Sequence, residues 1–186
     1  FIINRRGKIR YISDQVSLDN VASVLTKVKS YFREELPEEI LLEYMAAAAP
    51  GVKKFQRINL DQDKVIYVGK DQSGKIVLGR EVFKDVLCDV CTNAHFVYSF
   101  DLAGKIKNIV LIERINLRGE FIDAPDFIQR LVQNANRKLP LQLKEDLDGI
   151  TGATQTSKLF LEGLNETPDI INSLKSYRDI LAKISQ

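Results

Sequence analysis

Several residue types are scarce in this chain of 186 residues, and each scarcity excludes a class of protein. Two cysteines are too few for a disulfide-dense scaffold. The single histidine, His95, would leave any Ser-His-Asp hydrolase dependent on one residue. The single methionine is Met45 and the chain opens on Phe1, so we expect that an N-terminal segment of the gene product has been removed.

An excess of charge of one sign is also lacking. The chain has 27 basic and 25 acidic side chains, a formal charge of +2, and both signs are interspersed along it. A nucleic-acid-binding domain concentrates Lys and Arg on one face, so we expect no nucleic-acid partner. Charged residues also interrupt every apolar run well short of the roughly 20 residues that span a bilayer.

The apolar pattern predicts an α+β fold in which a mostly antiparallel sheet of two or more hairpins packs with helices. Residues 1–50 are predicted to form an N-terminal helical arm, and residues 51–186 one globular domain with a C-terminal amphipathic helix. The predicted helices cover residues 16–32, 38 to about 50, 127–134, 158–164 and 170–184. The predicted strands cover residues 55–60, 64–69, 75–78, 95–101 and 106–113.

Residues 148–157, which read Asp-Gly-Ile-Thr-Gly-Ala-Thr-Gln-Thr-Ser, form the most informative stretch. Gly152 and Ala153 allow a ligand to approach the backbone closely, and the N-terminus of the following helix favours a phosphate. On the local pattern alone, a helix N-cap with spare hydroxyls explains the same residues. The hydroxyl groups that could donate hydrogen bonds to a phosphate belong to Thr154, Thr156 and Ser157.

Five of these residues carry a resemblance to a known family. Asp148, Thr151, Gly152, Ala153 and Thr154 match the Asp-x-x-(Ser/Thr)-Gly-Ala-(Thr/Ser) motif of the FMN-binding domain family. This family includes flavoprotein subunits of the sodium-pumping NADH:quinone oxidoreductase and of related redox pumps. A separate FAD-dependent flavin transferase esterifies the last residue of the motif to the FMN phosphate. The resemblance therefore implies a phosphothreonyl-FMN at Thr154 and recognition of Asp148 by the transferase. It also implies a phosphate loop shaped by Thr151, Gly152 and Ala153.

The resemblance also implies an extracytoplasmic electron-transfer flavoprotein. Such a protein passes electrons to a redox partner protein or a quinone-linked membrane complex and is a carrier more than a self-sufficient enzyme. The removed N-terminal segment is then expected to be an export signal or membrane anchor. Residues 92–96 and 113–117 differ from the segments that the pump subunits carry near the flavin, which favours a stand-alone or fused domain. A redox-sensing FMN module and the flavin-loading domain of a larger reductase are the alternatives.

Cys88 and Cys91 form a Cys-x-x-Cys pair that is followed by His95. Covalent haem requires histidine directly after the second cysteine, and Thr92 occupies that position. A disulfide, two buried thiols, a redox relay to the flavin and a metal site completed by Asp89 or by another chain all remain open. His95 by itself is typical of a hydrogen-bonded polar residue at the start of a strand.

Overall fold

The structure is a computed structural model that describes residues 2–3, 9–11, 36–61, 64–84, 94–112, 125–146 and 154–177. The chain divides into two compact units, Phe1–Leu41 and Leu42–Gln186. In the first unit, strand β1 (Ile2–Ile3) pairs antiparallel with β2 (Ile9–Tyr11). The predicted helix over residues 16–32 lies outside the described residues. The predicted domain boundary at residue 50 falls within the second unit.

The remaining elements follow in the order that the sequence predicts. Helix α1 is Glu38–Ala48, and five strands come next: β3 (Phe55–Asp61), β4 (Lys64–Lys70), β5 (Ile76–Lys84), β6 (Ala94–Phe100) and β7 (Ile106–Leu111). The later helices are α2 (Pro125–Arg137), α3 (Thr154–Asn165) and α4 (Thr167–Leu174), and α4 continues into a 3-10 turn, Lys175–Tyr177.

The five strands form one antiparallel sheet in the order β3-β4-β5-β6-β7. Both predicted hairpins turn on an aspartate that accepts hydrogen bonds from the turn's own backbone. Asp71 Oδ1 accepts from the N–H groups of Ser73 at 2.8 Å and Lys75 at 3.0 Å. Asp101 Oδ1 accepts from those of Ala103 at 3.0 Å and Lys105 at 2.9 Å. This device is typical of Asp at the first position of a turn. The α+β fold is thus confirmed.

Strand β5 extends well beyond the predicted residues 75–78. Its second half carries the charged residues Arg80, Glu81 and Lys84, which hide the period of two that marks a strand. These side chains have partners across the fold, so the charges do not prevent pairing with β6. The register matches Arg80 with Tyr98 and Lys84 with Ala94.

The two faces of the sheet are covered by different helices. On one face the core contains side chains of α2, α3 and α4, including Phe127, Phe160 and Ile170. On the other face α1 lies close to β5, because a Cβ at Gly79 would come within 2.7 Å of Met45 Sδ. The Ser99 hydroxyl also donates to the carbonyl of Ala48 on this face.

The helix starts follow the predicted signals. Helix α2 begins at Pro125 and α4 carries Pro168 in its first turn, as is common where a missing N–H costs no helical hydrogen bond. Helix α4 ends at Leu174, and the predicted continuation of its apolar stripe to residue 184 lies beyond the described residues. In the part of the chain that the structure describes, no helix has the length and apolar character to cross a membrane.

Candidate functional site

The first turn of α3 contains the last part of the predicted phosphate-binding motif. Thr154 is the first residue of the helix, and Thr156 and Ser157 follow within the same turn. The first N–H groups of an α-helix have no intrahelical acceptor, and the helix dipole is positive at this end. The other motif residues, Asp148, Thr151, Gly152 and Ala153, lie outside the described residues.

Within the stretch of residues 148–157, Ser157 is the one residue whose side chain the structure describes, and this side chain is completely buried, with 0% exposure. Its Oγ has no hydrogen-bond partner. Burying a hydroxyl without a partner costs about 1–3 kcal/mol. An anion at the start of α3 that accepted a hydrogen bond from Ser157 would remove this cost.

The side of α3 that faces the sheet holds the helix closely against β5 and β6. The Phe160 ring stacks on Phe96 with centroids 4.5 Å apart, and its edge meets Phe127 at 6.4 Å. A Cβ at Gly163 would lie 2.7 Å from Val82 Cγ1, so the helix backbone approaches the sheet more closely than another residue would allow. These contacts fix the direction in which α3 presents its first turn.

Side-chain hydrogen bonds anchor the C-terminal end of the same helix. Asn165 accepts from the N–H of Leu141 at 2.7 Å and donates to the Leu141 carbonyl at 2.9 Å. The Thr167 hydroxyl donates to the Leu164 carbonyl at 2.7 Å and lies 3.0 Å from the Tyr98 hydroxyl. Burial raises the pKa of Tyr98, so its phenol stays protonated and can donate to Thr167.

An ion cluster between α3 and α4 was not predicted from the sequence. Glu166 accepts hydrogen bonds from Arg80 and Lys84 of β5. Burial alone would raise the pKa of Glu166, but the Lys84 hydrogen bond and the Arg80 charge outweigh it and hold the pKa below its usual value. Arg80 is only 9% exposed, and its Nη1 is buried without a partner. The sequence contains one signal for this cluster. Arg80 and Lys84 alternate along β5 with the buried residues Leu78 and Val82, so both cations lie on the core-facing side of the strand.

His95 lies at the second position of β6 and forms a buried hydrogen bond with Glu81. Its Nε2 is 2.9 Å from Glu81 Oε1, and the two side chains are 2% and 14% exposed. The Phe83 ring meets the imidazole edge-on at 5.2 Å. The environment is that of a hydrogen-bonded polar residue at a strand start.

The predicted role of the Cys-x-x-Cys pair stays open, because Cys88 and Cys91 lie outside the described residues. Within the described segments, no three His, Cys, Asp or Glu side chains are grouped so that they could hold a metal ion. His95 and Glu81 are therefore two polar groups that pair with one another, and they do not by themselves form a metal centre.

Comparisons with known proteins neither extend nor contradict the resemblance carried by the motif. No protein-family model matches the sequence, and no curated protein matches it.

Proposed function

We propose that this chain is an extracytoplasmic electron-transfer flavoprotein that carries FMN esterified through its phosphate to Thr154. The motif of residues 148–154 motivates the proposal. The orphaned hydroxyl of Ser157 is the structural observation that carries it, since a buried donor without a partner lies in the helical turn that Thr154 begins. Such a donor is costly in an empty protein and useful beside a phosphate.

The chain's own groups fit the phosphate in three ways. The N–H groups of the first turn of α3 offer hydrogen bonds and a positive dipole end. Ser157, in the same turn, adds a hydroxyl donor that has no protein partner. The packing of Phe160 and Gly163 on the sheet, together with the Asn165 contacts at the other end, keeps this turn in one place. When bound, FMN supplies reversible transfer of one or two electrons.

Attachment of FMN requires an external enzyme, because a threonine hydroxyl is unreactive in water. The Oγ of Thr154 forms a bond to the flavin-side phosphorus of FAD, the pyrophosphate bond breaks, AMP leaves, and the hydroxyl proton is released. The FAD-dependent flavin transferase is therefore a maturation partner. The electron partner in this proposal is a redox protein or a quinone-linked membrane complex.

Coexpression with a flavin transferase tests the proposal. After denaturing gel electrophoresis, yellow flavin fluorescence should stay with the wild-type chain and should be lost in Thr154→Ala. Thr154→Ser is the matched control, because it keeps a hydroxyl at the same position and should retain the fluorescence. Fluorescence that persists in Thr154→Ala, or that is absent from the wild type, refutes the proposal.

A further inference from the structure

A depression of about 630 Å³ lies beside the α1–β3 connection and the end of β4. Its lining combines Gly51, Lys53 and Lys54, which follow α1, with residues 69–72 at the end of β4. The volume is within the range of sites that hold small organic ligands, about 300–1,000 Å³. We call it the lysine depression, after Lys53, Lys54 and Lys70 in its lining.

The lysine depression carries an excess of positive charge that the described residues do not balance. None of its three ammonium groups forms an ion pair with a described carboxylate, and Asp71 is the one acid in the lining. Asp71 is committed to its own turn, because its Oδ1 accepts from the Ser73 hydroxyl at 2.7 Å as well as from backbone N–H groups. The Ser73 hydrogen bond lowers the pKa of Asp71, so the lining keeps a net charge of two positive units.

The backbone brings these lysines together at a position where only glycine fits. A Cβ at Gly69 would lie 2.3 Å from Val52 Cγ1 and 2.8 Å from the Lys54 carbonyl oxygen. Glycine at residue 69 therefore lets the segment that holds Lys53 and Lys54 lie directly against β4, next to Lys70. Like charges held close together are destabilising, and a bound anion would relieve that repulsion.

A second depression, of about 470 Å³, provides a comparison within the same chain. Its lining includes Lys105, Arg137 and Lys138. Lys138 Nζ is 3.0 Å from Asp146 Oδ1, so part of that charge is already neutralised. Each depression therefore keeps a net charge of two positive units, and the second depression serves as a control that is matched in charge.

We propose that the lysine depression binds a phosphorylated small molecule of nucleotide size. Lysine is a common phosphate ligand that acts as a point charge, and three lysines around a concave surface can surround a phosphoryl group from several sides. Gly51, which is only partly buried, has no side chain that would keep the rest of the ligand away from the backbone. The near-neutral charge of the whole chain argues against a nucleic-acid polymer.

The test is a calorimetric titration of the full chain with ADP, and with inorganic phosphate as the second probe. ADP should bind more tightly than phosphate, and Lys54→Gln/Lys70→Gln should weaken ADP binding about tenfold or more. The control is Lys105→Gln/Lys138→Gln, which removes the same charge from the second depression and should leave ADP affinity within about twofold. Thermal melting of each variant checks that the fold is intact.

Three results would overturn this proposal. They are the absence of ADP binding, an equal loss of affinity in both double variants, and binding of phosphate as tight as that of ADP. Protein made without a flavin transferase serves for the titration, so a negative result here leaves the flavin attachment at Thr154 unaffected, and the converse also holds.

Discussion

Replacing Gly163 with alanine separates helix propensity from packing, because the two effects have opposite signs at this position. In an exposed helix interior the substitution would stabilise the fold by about 1 kcal/mol. At Gly163 the added methyl group would lie 2.7 Å from Val82 Cγ1 and 2.8 Å from Phe96 Cζ. Both distances are shorter than carbon atoms tolerate, so the helix or the sheet side chains must move.

The neighbouring side chains have little room to move. Phe96 and Val82 are 0% and 2% exposed, and the Phe96 ring is already stacked on Phe160. Overfilling a closely packed core typically costs about 1–3 kcal/mol. We therefore expect Gly163→Ala to lower the free energy of unfolding by about 1 kcal/mol after the propensity gain is subtracted. In a domain of this size, the corresponding fall in Tm is about 2–4 °C.

Urea unfolding followed by circular dichroism measures the change, and a double-mutant cycle identifies its cause. Val82→Ala removes one of the two contacting atoms, so Gly163→Ala should cost at least about 1 kcal/mol less in that background than alone. A rise in stability for the single Gly163→Ala variant would refute the close approach of α3 to the sheet. If the effects of Gly163→Ala and Val82→Ala on the free energy of unfolding simply add, the cost of Gly163→Ala arises from a different contact.

Two further predictions concern the same helix and its end. Ser157→Ala should raise the unfolding free energy of protein without flavin by about 1 kcal/mol, because it removes a buried hydroxyl that lacks a partner. In flavinylated protein the same substitution should instead lower stability, and a change of the same sign in both forms would refute the phosphate contact. Glu166→Gln should lower stability at neutral pH by weakening the contacts with Arg80 and Lys84. The Glu166 pKa is lowered from 4.5, so the difference between variant and parent in urea unfolding should shrink as pH falls through that lowered pKa, whereas a difference that grows towards acid would contradict this assignment.

The sequence predicts most of the sheet because its signals are local. The turns at Asp71 and Asp101 use side chains that bond their own backbone within four residues, and the hairpins on either side follow from alternating apolar residues. The helix starts at Pro125 and Thr167 are likewise marked by residues in the first turn. The bounds of these hairpins and helix starts can be predicted without knowing which residues pack against them.

Contacts between residues that are far apart in the sequence cannot be predicted from such local signals. The pairing of Arg80 and Lys84 with Glu166 joins residues more than eighty positions apart, and the charges in β5 therefore shortened the predicted strand. The burial of Ser157 likewise depends on how α3 packs on the sheet. From the sequence, Ser157 is only one of several hydroxyls predicted to contact a phosphate, whereas packing shows that its hydroxyl is buried without a protein partner.

The most direct test of the account is the intact mass of the chain produced with and without a flavin transferase. Esterification at Thr154 predicts a gain equal to one FMN less one water when the transferase is present, and no gain in Thr154→Ala. An unchanged mass in the presence of an active transferase, or the same gain in Thr154→Ala, would contradict the assignment of Thr154 as the site that carries FMN.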